Sequence, residues 1–548
     1  MEELLFYSVV AATTVALSFY LGFVHRVTGC RRKAAQRDPA AERHISDMWS
    51  PRLSGFSLQM FTHLANSVFG QFCLMPLLMR LNHFDLLRTL SFSEDPIFLP
   101  VVPPEEGKGN SEGKPPLEIL KELMEPRVSP TPASTGFHFN GIRDYIDSYR
   151  SGMLTPSQVA QNILYALEDS EKSNPPLCAI VQWNRDHILK MAEASTARYR
   201  DRTPLSMLDG IPVCLKEEIK VVPYYHRAGT TCLGTEPEVE DATVTTKLRE
   251  AGAVIIGVSN MHELGTGTTG CNPNRFHGIA RNPCNPQHYT GGSSSGSAAA
   301  VAAGLCPLAL GTDGGGSVRI PAAFCGVVGL KGTFGRISDH GCLPLSYSTV
   351  SLGPISTCVL DAAIAYTLLA GPDPQYPYGL NQPALSLDGI FSPDLKGITL
   401  GVDWTFFKNL ETRTSLALSS QFTAVDYIHA NRQRSRSMAW LKETFSTVNC
   451  ILTPATACTA PRIHDSDLLH GCSDVPTMAQ SIRYMQLGNL TGIPGLVVPI
   501  GYSSAGLPIG LQVMAKWWDE AVLFRIGLKL EKFQASTSKP KIFYDVLT

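Results

Sequence analysis

Two clusters rich in glycine and serine stand close together in the chain: TGGSSSGS at Thr290–Ser297 and GTDGGGS at Gly311–Ser317. Glycine runs let a backbone approach a ligand closely and aim several N–H groups at one point, which suits either a phosphate or a developing oxyanion. No GK[ST] follows either loop, and no GxGxxG opens a helix after a strand, so nucleotide binding has no support. GSSSG at Gly292–Gly296 satisfies G-x-S-x-G, with Ser294 in the nucleophile position. That elbow must follow a strand directly, however, and the preceding NPCNPQHYTG, with two prolines, reads as loop. On composition alone, a serine-rich stretch of this kind is a flexible surface loop. The residue types by themselves do not single out Ser317.

The elements around these clusters are easier to read. Gly152 closes one helix, and Thr155, Pro156 and Gln158 form a capping box with proline at the first helical position, so TPSQVAQNILYALE is a helix. TVTTKLREAG carries Val244, Leu248 and Ala251 on one face, stops at Gly252 and leads into the strand-like AVIIG. The same grammar returns as helix SAAAVAA, a stop at Gly304 and strand PLALG. Later strands are NCILTPA, GLVVPI and GLQVMA, and an amphipathic helix closes the domain from about Asp519 to Phe533. Helix and strand alternating in this way predict an α/β layered fold around a largely buried sheet. Lys216 follows an apolar strand-like run, where burial would lower its proton affinity and free an amine to act as a base. The plain alternative is a surface lysine at a strand end.

With 548 residues, 44% hydrophobic and 17% charged, the chain has ample material for a large core. Its net charge of -2 makes no case for nucleic acid. The 14 cysteines are scattered without regular spacing and read as free thiols of a reducing compartment. MHELGTG around His262 lacks the second histidine of HExxH, so neither a metal nor another cofactor is expected.

The N-terminus carries a topological signal. Leu4–Val24 is uncharged and would span about 30 Å as a helix. Arg26, Arg31, Arg32 and Lys33 follow it, which predicts a single-pass membrane anchor with the rest of the chain on the cytoplasmic side. A cleavable signal peptide is one alternative, opposed by the length of the run and its acidic leading flank of Glu2 and Glu3, and a buried core helix is the other. Between about Ser54 and Leu87, Phe61, Leu64, Val68 and Phe72 recur at helical spacing, and a second apolar run follows Pro76. This reads as a membrane-facing cap or as a helix packed on the main domain. The predicted organisation is an anchor over residues 1–35, a helical extension with a Pro/Gly-rich linker over 36–136, the main domain over 137–535 and a tail over 536–548.

GGSSSGSAAAVAAG, followed by ALGTDGGGSVRIPAAFCGVVGLKGTFGRIS, with DGIPVCLKEEI upstream, resembles the signature of the amidase signature family. The resemblance runs from about Gly141 to Phe533. Within that family IRDYIDSYRSGMLTPSQVA, NMHELGTGTTGCNPN and DYIHANRQR are similar to fatty acid amide hydrolases of the plant type. The resemblance implies α/β/α layers around a large mixed, twisted sheet. It places the family's lysine on Lys216, its bridging serine on Ser293 and its nucleophile on Ser317, and it implies a cis Gly292–Ser293 bond that turns the Ser293 hydroxyl towards both partners. Ser317 would attack the substrate carbonyl while its proton passes through Ser293 to Lys216, with the oxyanion against the N–H groups of Gly314, Gly315, Gly316 and Ser317. Lys216 would return the proton through Ser293 to the leaving amine. Ser294, Asp313 and Arg319 would buttress the site.

Ser295 stands where relatives usually carry glycine, as in the plant-type members. The chain also passes from KGITLGVDWTFFKNLE almost directly to SQFTAVDYIHANRQR, where relatives hold a longer segment, so a piece after Trp404 is expected to be missing. The resemblance implies a lipid amide substrate such as an N-acylethanolamine and allows a homodimer. Three other readings stay open: an amidase of small or aryl amides, an amidotransferase subunit, and a catalytically impaired short form that only binds lipid at a membrane.

Overall fold

The computed structural model describes residues 52–82, 92–104, 114–124, 137–274, 276–343, 345–390, 392, 395, 397–402, 423–533 and 537–548. The anchor expected at Leu4–Val24, its basic flank and the shortened segment after Trp404 lie outside the described residues.

Ten strands form one sheet: β1 (Ile180–Gln182), β2 (Pro212–Lys216), β3 (Val254–Ser259), β4 (Leu308–Asp313), β5 (Val328–Lys331), β6 (Ser351–Ser356), β7 (Leu400–Val402), β8 (Cys450–Pro454), β9 (Gly495–Tyr502) and β10 (Pro508–Ala515). Their order across the sheet is β7-β8-β10-β9-β5-β6-β4-β2-β3-β1. Pairing is mixed: β2 runs parallel to β3 and β4, whereas β4 meets β6 antiparallel. Strands β2, β3 and β4 are buried along their whole length, as expected where helices cover both faces.

The capping box at Thr155 is present. Its side chain accepts from Gln158 N, proline stands in the first turn of helix Pro156–Lys172, and Gly152 ends the helix before it at φ 73°. Helix Ser295–Ala302 is built of small residues that are all buried, which lets its axis lie close to the sheet and carries its first residues into the centre of the domain. The tail packs back on the domain: Tyr544 N–H donates to Ala303 O at 2.8 Å, and Ile542 N–H to Pro283 O at 3.1 Å.

Two expectations change. NPCNPQHYTG is not loop: Arg281–Asn282 and Asn285–Tyr289 pair as a short antiparallel hairpin, because both prolines sit where the two-stranded ribbon needs no ladder donor from them. In the apolar extension the break falls ahead of Pro76. Helices Gly55–Asn66 and Gly70–Leu81 meet at 85°. Ser67 makes the corner, its hydroxyl donating to Leu64 O at 2.6 Å and accepting from Gly70 N at 3.0 Å. Pro76 lies in the first turn of helix Met75–Leu81, where a missing N–H costs little.

Candidate active site

Strands β2 and β4 are parallel neighbours, so both end on the same edge of the sheet. That edge is where a parallel sheet presents residues to a ligand. Lys216 is the last residue of β2, Asp313 is the last of β4, and the Gly314–Ser317 loop joins β4 to helix Arg319–Cys325. Topology thus brings together two segments about a hundred residues apart. Between them comes the Gly291–Ser295 turn, which enters helix Ser295–Ala302 with a cis Gly292–Ser293 bond.

Lys216 is 0% exposed, Ser293 1% and Ser317 8%, so accessibility rises from lysine to outer serine. Lys216 Nζ donates to Ser293 Oγ at 2.7 Å and to Thr312 Oγ1 at 2.8 Å, and lies 2.8 Å from Glu218 Oε1. Burial pulls its proton affinity below that of an ordinary lysine, against the charge of Glu218, which acts to raise it. The turn is tied to the nucleophile loop through its backbone, with Ser294 N–H donating to Ser317 O at 3.3 Å. The Ser294 hydroxyl donates to Thr312 O at 3.3 Å and is fully buried. Ser294 is therefore committed to the turn, and the G-x-S-x-G likeness has no structural counterpart.

The glycine loop differs from expectation at one position. Gly316 N–H donates to Asp313 Oδ1 at 2.8 Å, which takes it out of the set of free donors. The N–H groups of Gly314, Gly315 and Ser317 have no hydrogen-bond partner among the described residues, so three donors rather than four remain for a ligand oxygen. The cause is Asp313, which curls the loop around its own carboxylate by also accepting from Val318 N at 3.2 Å and Arg319 N at 3.4 Å.

Asp313 and Arg319 form a fully buried ion pair at 2.9 Å. Burial alone would raise the Asp313 carboxyl, but the charge and hydrogen bonds of Arg319, with the Asn489 amide, hold it well below the usual carboxylate range. Arg319 also reaches Gln512 Oε1 and Asn489 Oδ1, both at 2.6 Å, and Met485 O at 3.2 Å. Every polar group on this buried network thus has a partner.

Four residues of the site escaped the sequence reading. Thr312 and Glu218 lay inside the quoted motifs, but no spacing rule points at them. Asn489 and Gln512 lie far along the chain, and no local signal announces either. His262 is a wall residue: its N–H donates to Ser293 O at 3.0 Å, and its ring leaves no room for a side chain at Gly267, whose Cβ would fall 2.1 Å from it. Burial and the charge of Lys216 pull its imidazole down to about 4, so it is neutral.

A glycine loop ending in Ser317, with three amides unpartnered among the described residues, tied through its backbone to a turn whose Ser293 accepts from a buried lysine, is an arrangement suited to acyl transfer through a covalent intermediate. The family model described as Amidase matches residues 161–418 and 407–524. The chain is 36% identical to a fatty acid amide hydrolase of Medicago truncatula, covering 91% of this chain and 95% of that one, and 34% identical to one of Arabidopsis thaliana, covering 94% and 98%. The Medicago alignment runs over 581 residues, more than this chain contains, so the relative carries stretches that this chain lacks. Among solved structures, a peptide amidase in complex with the competitive inhibitor chymostatin superposes with a TM-score of 0.62 at 25% identity, over 74% of this chain and 99% of that one. The chain belongs to the amidase family. It is accordingly a hydrolase of amides.

Proposed function

We propose that the protein hydrolyses long-chain fatty acid amides, N-acylethanolamines among them, to fatty acid and amine through an acyl-enzyme on Ser317. The observation that carries the reading is the 2.7 Å contact from Lys216 Nζ to Ser293 Oγ beside the Gly314–Ser317 loop, in a chain whose curated relatives act on fatty acid amides. Lys216, whose proton affinity burial lowers, takes the Ser317 proton through Ser293 as Ser317 Oγ bonds to the carbonyl carbon. The N–H groups of Gly314, Gly315 and Ser317 receive the oxyanion. The proton returns through Ser293 to the departing nitrogen, and water then releases the fatty acid.

A lipid substrate asks for a lipid-facing surface. On the bent helix pair, Phe56, Val68, Phe69 and Phe72 are exposed, Phe72 by 78%, and isolated aromatics of this size on one extension favour contact with a bilayer. In this reading, Leu4–Val24 anchors the chain and the bent pair rests on the same membrane. The test is hydrolysis of an N-acylethanolamine series by purified full-length protein beside its Ser317→Ala variant. Activity that rises with acyl length and vanishes in the variant is the expected result. Equal rates on short and aryl amides would replace the lipid reading with a general amidase, and no hydrolysis by the unaltered chain would leave a lipid-binding protein.

A further inference from the structure

Lys216 has more company than a relay requires. Its Nζ lies 2.7 Å from Ser293 Oγ, 2.8 Å from Thr312 Oγ1 and 2.8 Å from Glu218 Oε1. The Thr312 hydroxyl in turn donates to Glu218 Oε1, so amine, hydroxyl and carboxylate close a ring. Glu218 is buried two residues beyond the end of β2, and that stretch is pinned on both sides: Ile219 N–H donates to Lys216 O and Leu343 N–H to Glu218 O, each at 2.9 Å.

An ammonium has three N–H donors, and these three oxygens use all of them. A neutral amine has two N–H groups and a lone pair, so it keeps its neighbours only when the lone pair faces a proton supplied by one of them. The carboxylate therefore decides how firmly the amine holds its third proton. Other ionisable groups around the amine are otherwise engaged or uncharged. Asp313, from β4, is tied to Arg319; His262, from the loop after β3, is neutral; and Cys342, packed nearby, is a thiol whose burial keeps it protonated. Glu218 is the one carboxylate in contact with Lys216 among the described residues.

We propose that Glu218 is a positioning residue of the proton path, holding the Lys216 amine towards Ser293 and governing when that amine is free to take the Ser317 proton. The proposal rests on Ser317 being the nucleophile. The step balances without a new reactant. The Ser317 O–H bond breaks as its Oγ bonds to the carbonyl carbon; that proton goes to Ser293, and the Ser293 proton goes to Lys216. Glu218 then faces the new ammonium, and the same proton returns to the leaving nitrogen. Glu218 neither gives nor takes a proton in this step.

The experiment follows the rate at which a fluorophosphonate labels the full chain between about pH 5 and pH 10, because this reagent reports bond formation at Ser317 without an amine to expel. Glu218→Gln keeps an oxygen near Nζ but removes the charge, so Lys216 loses its proton at lower pH. The midpoint of the acid limb should fall by about one pH unit or more, and the plateau rate, now set by a weaker base, by roughly tenfold. Glu218→Asp should give a midpoint between the two. A midpoint that stays in place in Glu218→Gln, whatever happens to the plateau, overturns the proposal, since a purely structural role lowers the rate without moving the limb. If Glu218→Gln does not fold, an unmoved midpoint in Glu218→Asp overturns it equally. Absence of labelling in the unaltered chain, or labelling that persists in Ser317→Ala, is a different failure: it removes the nucleophile assignment on which the proposal rests.

Discussion

The carboxylate of Asp313 takes the Gly316 N–H at 2.8 Å and the Arg319 guanidinium at 2.9 Å, so one buried side chain shapes the loop that presents Ser317 and anchors the helix that follows it. The loop is held from below, by charge, and its outer donors have no partner among the described residues.

Removing the cation from this pair should be severe. Arg319→Leu leaves Asp313 buried without its counter-charge and strips partners from Asn489 and Gln512 as well. A loss of about 3–5 kcal/mol is expected, read as a lowered denaturant midpoint. A midpoint within about 1 kcal/mol of the unaltered protein would show that the loop does not depend on the pair.

The glycines of the loop should separate into two kinds. Gly316 has φ 115°, and a Cβ there would lie 2.7 Å from Met485 Cγ and 2.8 Å from Ile320 Cδ1, so Gly316→Ala should lower thermal stability and fluorophosphonate labelling together. At Gly315 the nearest atom would be Gln486 Nε2 at 3.4 Å, an ordinary contact. Gly315→Ala should therefore melt near the unaltered protein. Equal losses in the two variants would contradict this contrast.

Two buried carboxyls should each contribute stability that is lost as pH rises from acid to mildly alkaline. Burial pushes Asp361 up to about 7, although Thr357 and the Ile142 N–H oppose the shift, and burial likewise pushes Glu531 up to about 8. In an unfolded chain these groups titrate near roughly 3.9 and 4.3. Across the window between, the folded state binds protons that the unfolded state has lost, so stability is highest below about pH 4 for these two groups and declines until both have ionised. Taken as independent groups, the two contribute a decline on the order of 6 kcal/mol between pH 5 and pH 8, offset in part by His262, whose lowered value acts in the opposite sense. Asp361→Asn should shrink that difference in urea unfolding, and an unchanged difference would assign the pH dependence elsewhere.

The exposed apolar helix pair makes a prediction about surfaces. Phe69→Glu with Phe72→Glu should weaken co-sedimentation with phospholipid vesicles several-fold while leaving hydrolysis of a soluble short-chain amide unchanged. Undiminished sedimentation would mean that this face does not meet the bilayer.

Much of this molecule was legible from residue order. The Thr155 capping box, the stops at Gly152 and Gly304 and the buried strands at Pro212–Lys216 and Leu308–Asp313 depend on nearest neighbours along the chain, and local patterning carries them. The hairpin ending at Tyr289 was hidden by its prolines, because whether a proline is tolerated depends on which side of the ribbon lacks a partner. The long motifs around Ser293 and Ser317 pointed to an amide hydrolase, while the glycines by themselves indicated only a place where backbone donors gather. Tertiary structure alone decided which donors are available. Gly316 is spent on Asp313, Asn489 arrives from the far end of the chain to complete the ion pair, and Glu218 meets Lys216 and Thr312 where parallel strands end side by side. Such partnerships form across a sheet edge, between residues that no periodicity relates, and the free energy that makes them necessary comes from burying charge, which exists only once the core has closed.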